Sequence, residues 1–217
     1  MASKITLLSL MLAILTACSN TMQLNLSSLP DPSYTANIHL PVTIIAEGSP
    51  ESRLKAKYFL PQIQQQFIHL GYNDVRLGTD KTAAEEGLLV KVKVSTEKVS
   101  YQYTATEYGY NHVEPIQYCH SSADNKIICN TTYRPVYGPI GSSQRTAYTR
   151  LSSFIVTVIE VLSDEPVLQI KAISYNDNCS DTKVEAFLAE QLLLHFETQQ
   201  RIEQKIKVKM DKNYSCK

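Results

Sequence analysis

Five cysteines, five histidines and thirteen tyrosines are the side chains of this sequence best equipped for chemistry or recognition. Nucleophilic catalysis needs a serine or cysteine set in a sharp turn and a base to take its proton. The chain has no Gly-x-Ser-x-Gly, and Ser142-Ser143 is a serine pair in a stretch rich in glycine and proline. His39, His69, His112, His120 and His195 are scattered. His69 and His195 fall near the ends of two helical segments, where an imidazolium meets the C-terminal helix dipole favourably. The carboxylate pairs Glu85-Glu86 and Asp164-Glu165 fall in turns. No phosphate loop, dinucleotide fingerprint or calcium loop is present. Cys119, His120 and Cys129, with His112, offer sulfur and nitrogen to zinc, but without the C-x-x-C or H-x-x-x-H spacing such sites use. The expectation is a chain with no catalytic residue, no metal site and no cofactor.

The cysteine at position 18 stands apart from the others. Residues 1–17, MASKITLLSLMLAILTA, place Lys4 before an apolar run from Ile5 to Leu15. That run is short of the roughly 20 residues a spanning helix needs, and has the proportions of a secretory signal. Leu15-Thr16-Ala17-Cys18 resembles the lipobox of bacterial lipoproteins. The resemblance implies cleavage before Cys18, diacylation of its thiol and acylation of the new amino group. Buried acyl chain is worth about 0.8 kcal/mol per CH₂, so several chains hold a protein on a bilayer essentially permanently. Ser19 after the cysteine, rather than Asp, resembles the sorting signal for the outer membrane, on its periplasmic side.

With Cys18 assigned to lipid, Cys119, Cys129, Cys179 and Cys216 remain, an even number in an oxidising compartment. Three pairings are possible, and the two between nearest partners are favoured. Cys119 and Cys129 lie symmetrically about the turn-like SSADNK, as across a β-hairpin. That bond would contribute about 3 kcal/mol on a chain-entropy basis. Cys179–Cys216 would tie the C-terminus back to the body.

The elements that must position these groups follow from periodicity. Residues 18–36 are polar and proline-bearing, and read as a lipidated cysteine followed by a flexible tether. Ile38, Leu40, Val42 and Ile44 alternate as in a strand, with Pro41 marking an edge or an irregularity. Ser49-Pro50 matches a helix N-cap with proline at the first position. Leu54, Tyr58, Ile63, Phe67 and Leu70 mark one helical face, with Pro61 kinking or splitting the helix before Gly71. Residues 73–79 suit a short strand, and 82–86 a turn of helix. Leu88, Val90, Val92 and Val94 share one face of a long strand, with Lys91, Lys93 and Ser95 on the other. Residues 151–162 and 167–174 read as a hairpin. Ser180-Asp181-Thr182 cap a second helix, with Glu185 placed for a capping box and Val184, Phe187, Leu188, Leu192 and His195 on its apolar stripe. Residues 202–210 alternate Ile202, Ile206, Val208 and Met210 with lysines, as at a charged sheet edge, or continue the helix.

This order gives an α+β domain: a mainly antiparallel sheet with two main helices packed on one face, plus a disulfide-stapled β-hairpin insertion. The boundaries are 1–17 for the signal peptide, 18–36 for the anchor and tether, and 37–217 for a single domain with its insertion at 107–147. The order of elements over roughly 37–200, including Gly71-Tyr72 at the end of the first helix, also resembles a group of bacterial lipoprotein domains of unknown function.

Net charge is zero, with 21 basic and 21 acidic residues, so nothing favours nucleic acid. Tryptophan is absent, while eight tyrosines crowd between Tyr101 and Tyr148. Tyr101 and Tyr103 fit an ordinary sheet face. Tyr108, Tyr110, Tyr133 and Tyr137 stand beside or near Gly or Pro in the insertion and point to a recognition surface. The leading expectation is therefore a non-catalytic, lipid-anchored periplasmic protein that binds an envelope protein, in envelope maintenance or assembly of a surface structure. A small-ligand or lipid carrier and a hydrolase with a site assembled only by the fold are the alternatives.

Overall fold

The computed structural model describes residues 21–79, 84, 86–121, 126–176, 179–196 and 200–209. Residues 1–20, with Cys18 and the signal segment, lie outside the described residues, as do Cys216 and most of 82–86.

The elements run β1 (Thr21–Pro30), β2 (Val42–Ala46), α1 (Pro50–Lys57), α2 (Leu60–His69), β3 (Val75–Leu77), β4 (Leu88–Ser121), β5 (Ile127–Glu160), β6 (Glu165–Tyr175), α3 (Asp181–Leu194) and β7 (Ile202–Lys209). The strands form one sheet in the order β3-β2-β4-β5-β6-β1-β7. The chain divides into two compact units, a body (residues 21–99 and 149–209 among those described) and Ser100–Tyr148.

In the body the sheet is mixed, which corrects the expectation of a mainly antiparallel one. β2 pairs parallel with both β3 and β4, while β6 pairs antiparallel with β5 and β1, and β1 with β7. The reason lies in the connections. Parallel neighbours need a crossover rather than a tight turn, and α1 and α2 between β2 and β3 supply one. Two main helices were expected; the described residues hold three, because the first is split. Ser49 accepts a hydrogen bond from the Ser52 amide and Pro50 opens α1, whereas Pro61 opens a separate α2 after a break at Tyr58-Phe59. The break resets the helical phase. Ile63 and Phe67 are buried as their spacing requires, but Leu54 and Tyr58 are exposed, and Ser52 and Ala56 take the inward positions of α1.

β1 overturns a second expectation. Residues 21–30 are not part of a tether but a ten-residue strand between β6 and β7, with Met22, Leu24, Leu26 and Ser28 turned into the core. The alternation was present in MQLNLS; its polar partners Gln23, Asn25 and Ser27 face the opposite side of the sheet. Nor is β2 an edge strand, since β3 covers its outer side and Pro41 precedes it. Residues 202–209 are strand, and they form the outermost strand beyond β1.

The core gathers one face of every long strand. Val90, Val92 and Val94 of β4, Phe154, Val156 and Val158 of β5, and Ile170 and Ala172 of β6 are buried with Ile63, Phe67, Val184, Leu188 and Leu192 from the helices. Phe67 meets Tyr72 and Phe196 edge-on, at centroid distances of 5.5 Å each. Glu185 is not a capping residue. Ser180 makes no side-chain cap, and Glu185, 3% exposed, instead takes Lys55 Nζ at 2.9 Å and the Thr96 hydroxyl at 3.1 Å. Burial opposes the charge on Lys55, but Glu185 and Glu51 outweigh it and hold its pKa above the ordinary lysine value.

β4 and β5 form an antiparallel pair of 34 residues each. Ser95 Oγ lies 2.8 Å from Ser153 Oγ, Cys119 is bonded to Cys129, and twenty-four residues separate the two positions on each strand. In between, Gly109 sits against Ile140 and Gly138 against Asn111, one residue out of step with both ends. The ladder therefore takes up one extra residue on each strand around this middle stretch, as β-bulges do. Loops were expected to flank the stapled hairpin within 107–147; strand runs through instead, and the unit extends over Ser100–Tyr148. Pro115, Pro135 and Pro139 are tolerated because every other amide of a two-stranded ribbon points away from its partner and needs no acceptor there.

Candidate functional site

The ribbon Ser100–Tyr148 carries most of the residues that the sequence singles out. None of its described residues is buried. Its eight tyrosines are between 44% and 73% exposed, and Val113, Ile127, Ile128 and Ile140 add exposed aliphatic surface. These four aliphatics were not identified from the sequence, because they fall on both alternation phases and give no stripe. The described charges are few and nearly balanced: Glu107, Glu114, Lys126, Arg134 and Arg145.

Three of the four candidate tyrosines come together. Tyr108 and Tyr137 lie nearly parallel with ring centroids 6.4 Å apart, and Tyr110 meets Tyr137 edge-on at 5.7 Å. The one-residue shift in the ladder makes this possible. In the register of the two ends, Tyr137 would point to the face opposite Tyr108 and Tyr110. Gly109 serves the same packing from the other side: a Cβ there would come within 2.8 Å of Ile140 Cδ1. Tyr133, also exposed, joins none of the ring contacts among the described residues, while Tyr101 and Tyr103 pair with each other at 6.2 Å. Beside the three-ring group, His112 Nδ1 lies 2.7 Å from Asn111 Oδ1 and its Nε2 3.4 Å from Glu114.

The cysteines are accounted for as far as the described residues reach. Cys119 and Cys129 form a disulfide with Cα atoms 4.0 Å apart, so neither thiolate is free for zinc. Cys179 is disulfide-bonded and buried, with its amide donating to Asn176 Oδ1 at 3.0 Å. Its partner lies outside the described residues.

The Lys55–Glu185–Thr96 network ties α1 and α3 to β4, and neither of two open grooves of about 400 and 430 Å³ is lined by Lys55 or Glu185. The enclosed cavity between Tyr34, Phe67, Tyr72, Leu88, Val158 and Leu168 is about 10 Å³, room for one water at most. Burial and, secondarily, Tyr34 push the Tyr72 hydroxyl up to about 12. His39 and His69 are exposed, and His195 caps α3, with none of the three near a serine nucleophile among the described contacts. No group of three or more His, Cys, Asp or Glu among the described residues is arranged to hold a metal. No described helix is long and apolar enough to cross a membrane.

No family model matches the chain, and no curated protein matches it. Among solved structures, a PelC dodecamer from Paraburkholderia phytofirmans covers 77% of this chain and 94% of its own, at 11% identity and a TM-score of 0.38. A PDZ domain protein from Parabacteroides distasonis covers 87% of this chain but 39% of its own, at 8% identity and a TM-score of 0.39. At these values neither likeness carries an argument about function.

Proposed function

We propose that this chain is a lipid-anchored periplasmic protein of the bacterial outer membrane, and that it acts without catalysis by holding another envelope protein on its tyrosine-bearing ribbon. The observation that carries the reading is the ribbon's surface: eight exposed tyrosines and, among the described residues of Ser100–Tyr148, none that is buried. Tyrosine gives a large contact area with few rotamers to freeze, and a hydroxyl that keeps the free surface soluble. Exposed aromatic and aliphatic side chains with so few charges among them are a feature of interaction sites rather than of ordinary solvated strands. The Tyr108–Tyr110–Tyr137 group is its organised centre, and the disulfide holds the far end in one register before any partner arrives. Anchoring rests on the Leu15–Cys18 lipobox resemblance.

The register supplies the test. Continued from Ser95–Ser153 and Thr96–Ser152, the same step sets Val99 opposite Thr149, so Asn-Gly in place of Ser100–Tyr148 is designed to close a two-residue hairpin on the body. Crosslinking pull-down from native membranes should recover the same envelope protein with the full chain and lose it with the shortened one. Recovery of every partner by a folded, shortened chain overturns the assignment.

A further inference from the structure

The placement of β1 leaves almost no free chain between the proposed anchor and the folded body. Cys18 stands three residues before Thr21, where β1 begins. At no more than about 3.6 Å per residue, their Cα atoms are at most ~11 Å apart. A body held that close stays near the Debye length of the bilayer surface, about 8 Å at physiological ionic strength, so its charges are felt there.

The charges beside β1 are basic. On the side of the sheet opposite the core, Lys207 pairs across from Gln23 and Lys205 from Asn25 on β7, while Lys171 pairs across from Ser27 on β6. Lys205 and Lys207 are exposed and Lys171 is half-buried. Among the described residues none of the three has an acidic group within ion-pair distance. Glu203, next on the same face of β7, lies 3.9 Å from Arg201. Strand spacing of about 4.8 Å and a rise of about 3.4 Å per residue set the Cα atoms of these three lysines within roughly 17 Å of one another. No helix residue in the core cluster belongs to this side; the neighbouring positions on β6 and β5 are Ile173, Ile155 and Thr157.

We propose that this face of β7, β1 and β6 rests on the anionic phospholipid headgroups of the bilayer that carries Cys18, with Lys171, Lys205 and Lys207 as the contacts. The inference rests on the lipidation reading above. It adds an orientation: the lipid fixes the chain to the membrane, and the lysines fix which face of the sheet lies on it. A lysine near such a surface gains about fivefold in affinity, an effect lost in high salt.

The test uses the full-length lipidated protein, with acylation of Cys18 established first by intact mass, so that a missing anchor is seen separately from a missing orientation. The protein is placed in vesicles of phosphatidylcholine alone or of phosphatidylcholine with phosphatidylglycerol. Acetylation of Lys205 and Lys207 by an amine-reactive reagent is then followed by peptide mass spectrometry, with exposed Lys57 of α1 as internal standard. Phosphatidylglycerol should slow Lys205 and Lys207 about fivefold relative to Lys57, and salt should restore their rates. Equal rates in the two vesicles, with acylation intact, overturn the proposal. Protection found in native membranes but not with phosphatidylglycerol also overturns it, in favour of an acidic protein on this face.

Discussion

β4 and β5 contribute strand to both units of the molecule, yet their side chains do opposite things. In the body Val90, Val92 and Val94 are buried opposite Phe154, Val156 and Val158, with half-buried Lys91, Lys93, Ile155 and Thr157 between them. From Ser100 to Tyr148 no described side chain is buried, and tyrosine and isoleucine occur on both phases. Strand pairing therefore needs no core, but what specifies it differs. In the body a one-residue slip would turn valines to water, so burial fixes the register. In the ribbon a slip exposes nothing new. Isolated two-stranded ribbons are marginal in water, and here a disulfide and cross-strand rings replace the core.

The contrast is broken most severely from the body's side. Lys55→Met strands Glu185 in the core with, among the described residues, the Thr96 hydroxyl as its remaining partner, and should cost about 3–5 kcal/mol. The double variant Lys55→Met/Glu185→Leu should recover most of that loss, since an apolar pair of similar volume is close to neutral there. Chemical denaturation of the four species closes the cycle. A loss in the double variant equal to the sum of the two single losses would show that the pair is not coupled. The shortened chain lacking Ser100–Tyr148 should show the same cycle, because the network belongs wholly to the body.

From the ribbon's side the largest effect is Cys119→Ser. Loss of the bond should lower the free energy of local opening by about 3 kcal/mol on a chain-entropy basis. Amide exchange of residues near Cys119 and Cys129 should accelerate accordingly, while the melting midpoint of the body stays in place. A matching fall in that midpoint would mean that the two units unfold as one.

Alkaline pH separates them again. Burial, with a smaller contribution from Tyr34, raises the Tyr72 hydroxyl to about 12, against about 10 in an unfolded chain. Between those values the unfolded state has lost a proton that the folded state keeps, so stability falls as pH rises. Below pH 10 this group contributes no pH dependence. The loss should reach roughly 2 kcal/mol near the upper value and be absent in Tyr72→Phe. Stability curves of the full and shortened chains should show the same slope; a slope confined to the full chain would place its origin in the ribbon.

The same contrast explains what could be read without a structure. Where burial sets the pattern, residue types reveal it: Leu88, Val90, Val92 and Val94 name the inward face of β4, and Ile63 and Phe67 that of α2. Errors arise where a local signal has two meanings. Pro30 and Pro32 made 18–36 read as tether, although Met22, Leu24 and Leu26 alternate as a buried strand must. Glu185 has the spacing of a capping residue, and its true partner Lys55 is remote in sequence, on another helix. The direction of β2 against β3 and β4 depends on the crossover, which residue periodicity does not encode. In the ribbon the Cys119–Cys129 pair was legible from its turn, and so was the crowding of tyrosines, Tyr108, Tyr110 and Tyr137 among them. Their convergence was not, because it depends on a one-residue shift that leaves no mark in an unalternating sequence.

That shift gives the prediction with the smallest effect on folding. Tyr137 is the ring common to both close contacts, at 6.4 Å from Tyr108 and 5.7 Å from Tyr110. Exposed ring pairs contribute little, so Tyr137→Ala should cost under about 1 kcal/mol, confined to the ribbon and silent in the body's melting curve. Its effect on capture of the proposed partner should be out of proportion, a loss of at least ~1–2 kcal/mol in affinity, as when a central aromatic anchor is truncated. Tyr101→Ala, outside the three-ring group and likewise exposed, is the control and should leave capture nearly intact. If both variants weaken capture alike, the ribbon binds through its whole tyrosine surface. If neither does, the three-ring group is only the ribbon's substitute for a core, and the recognition centre lies elsewhere on the same strands.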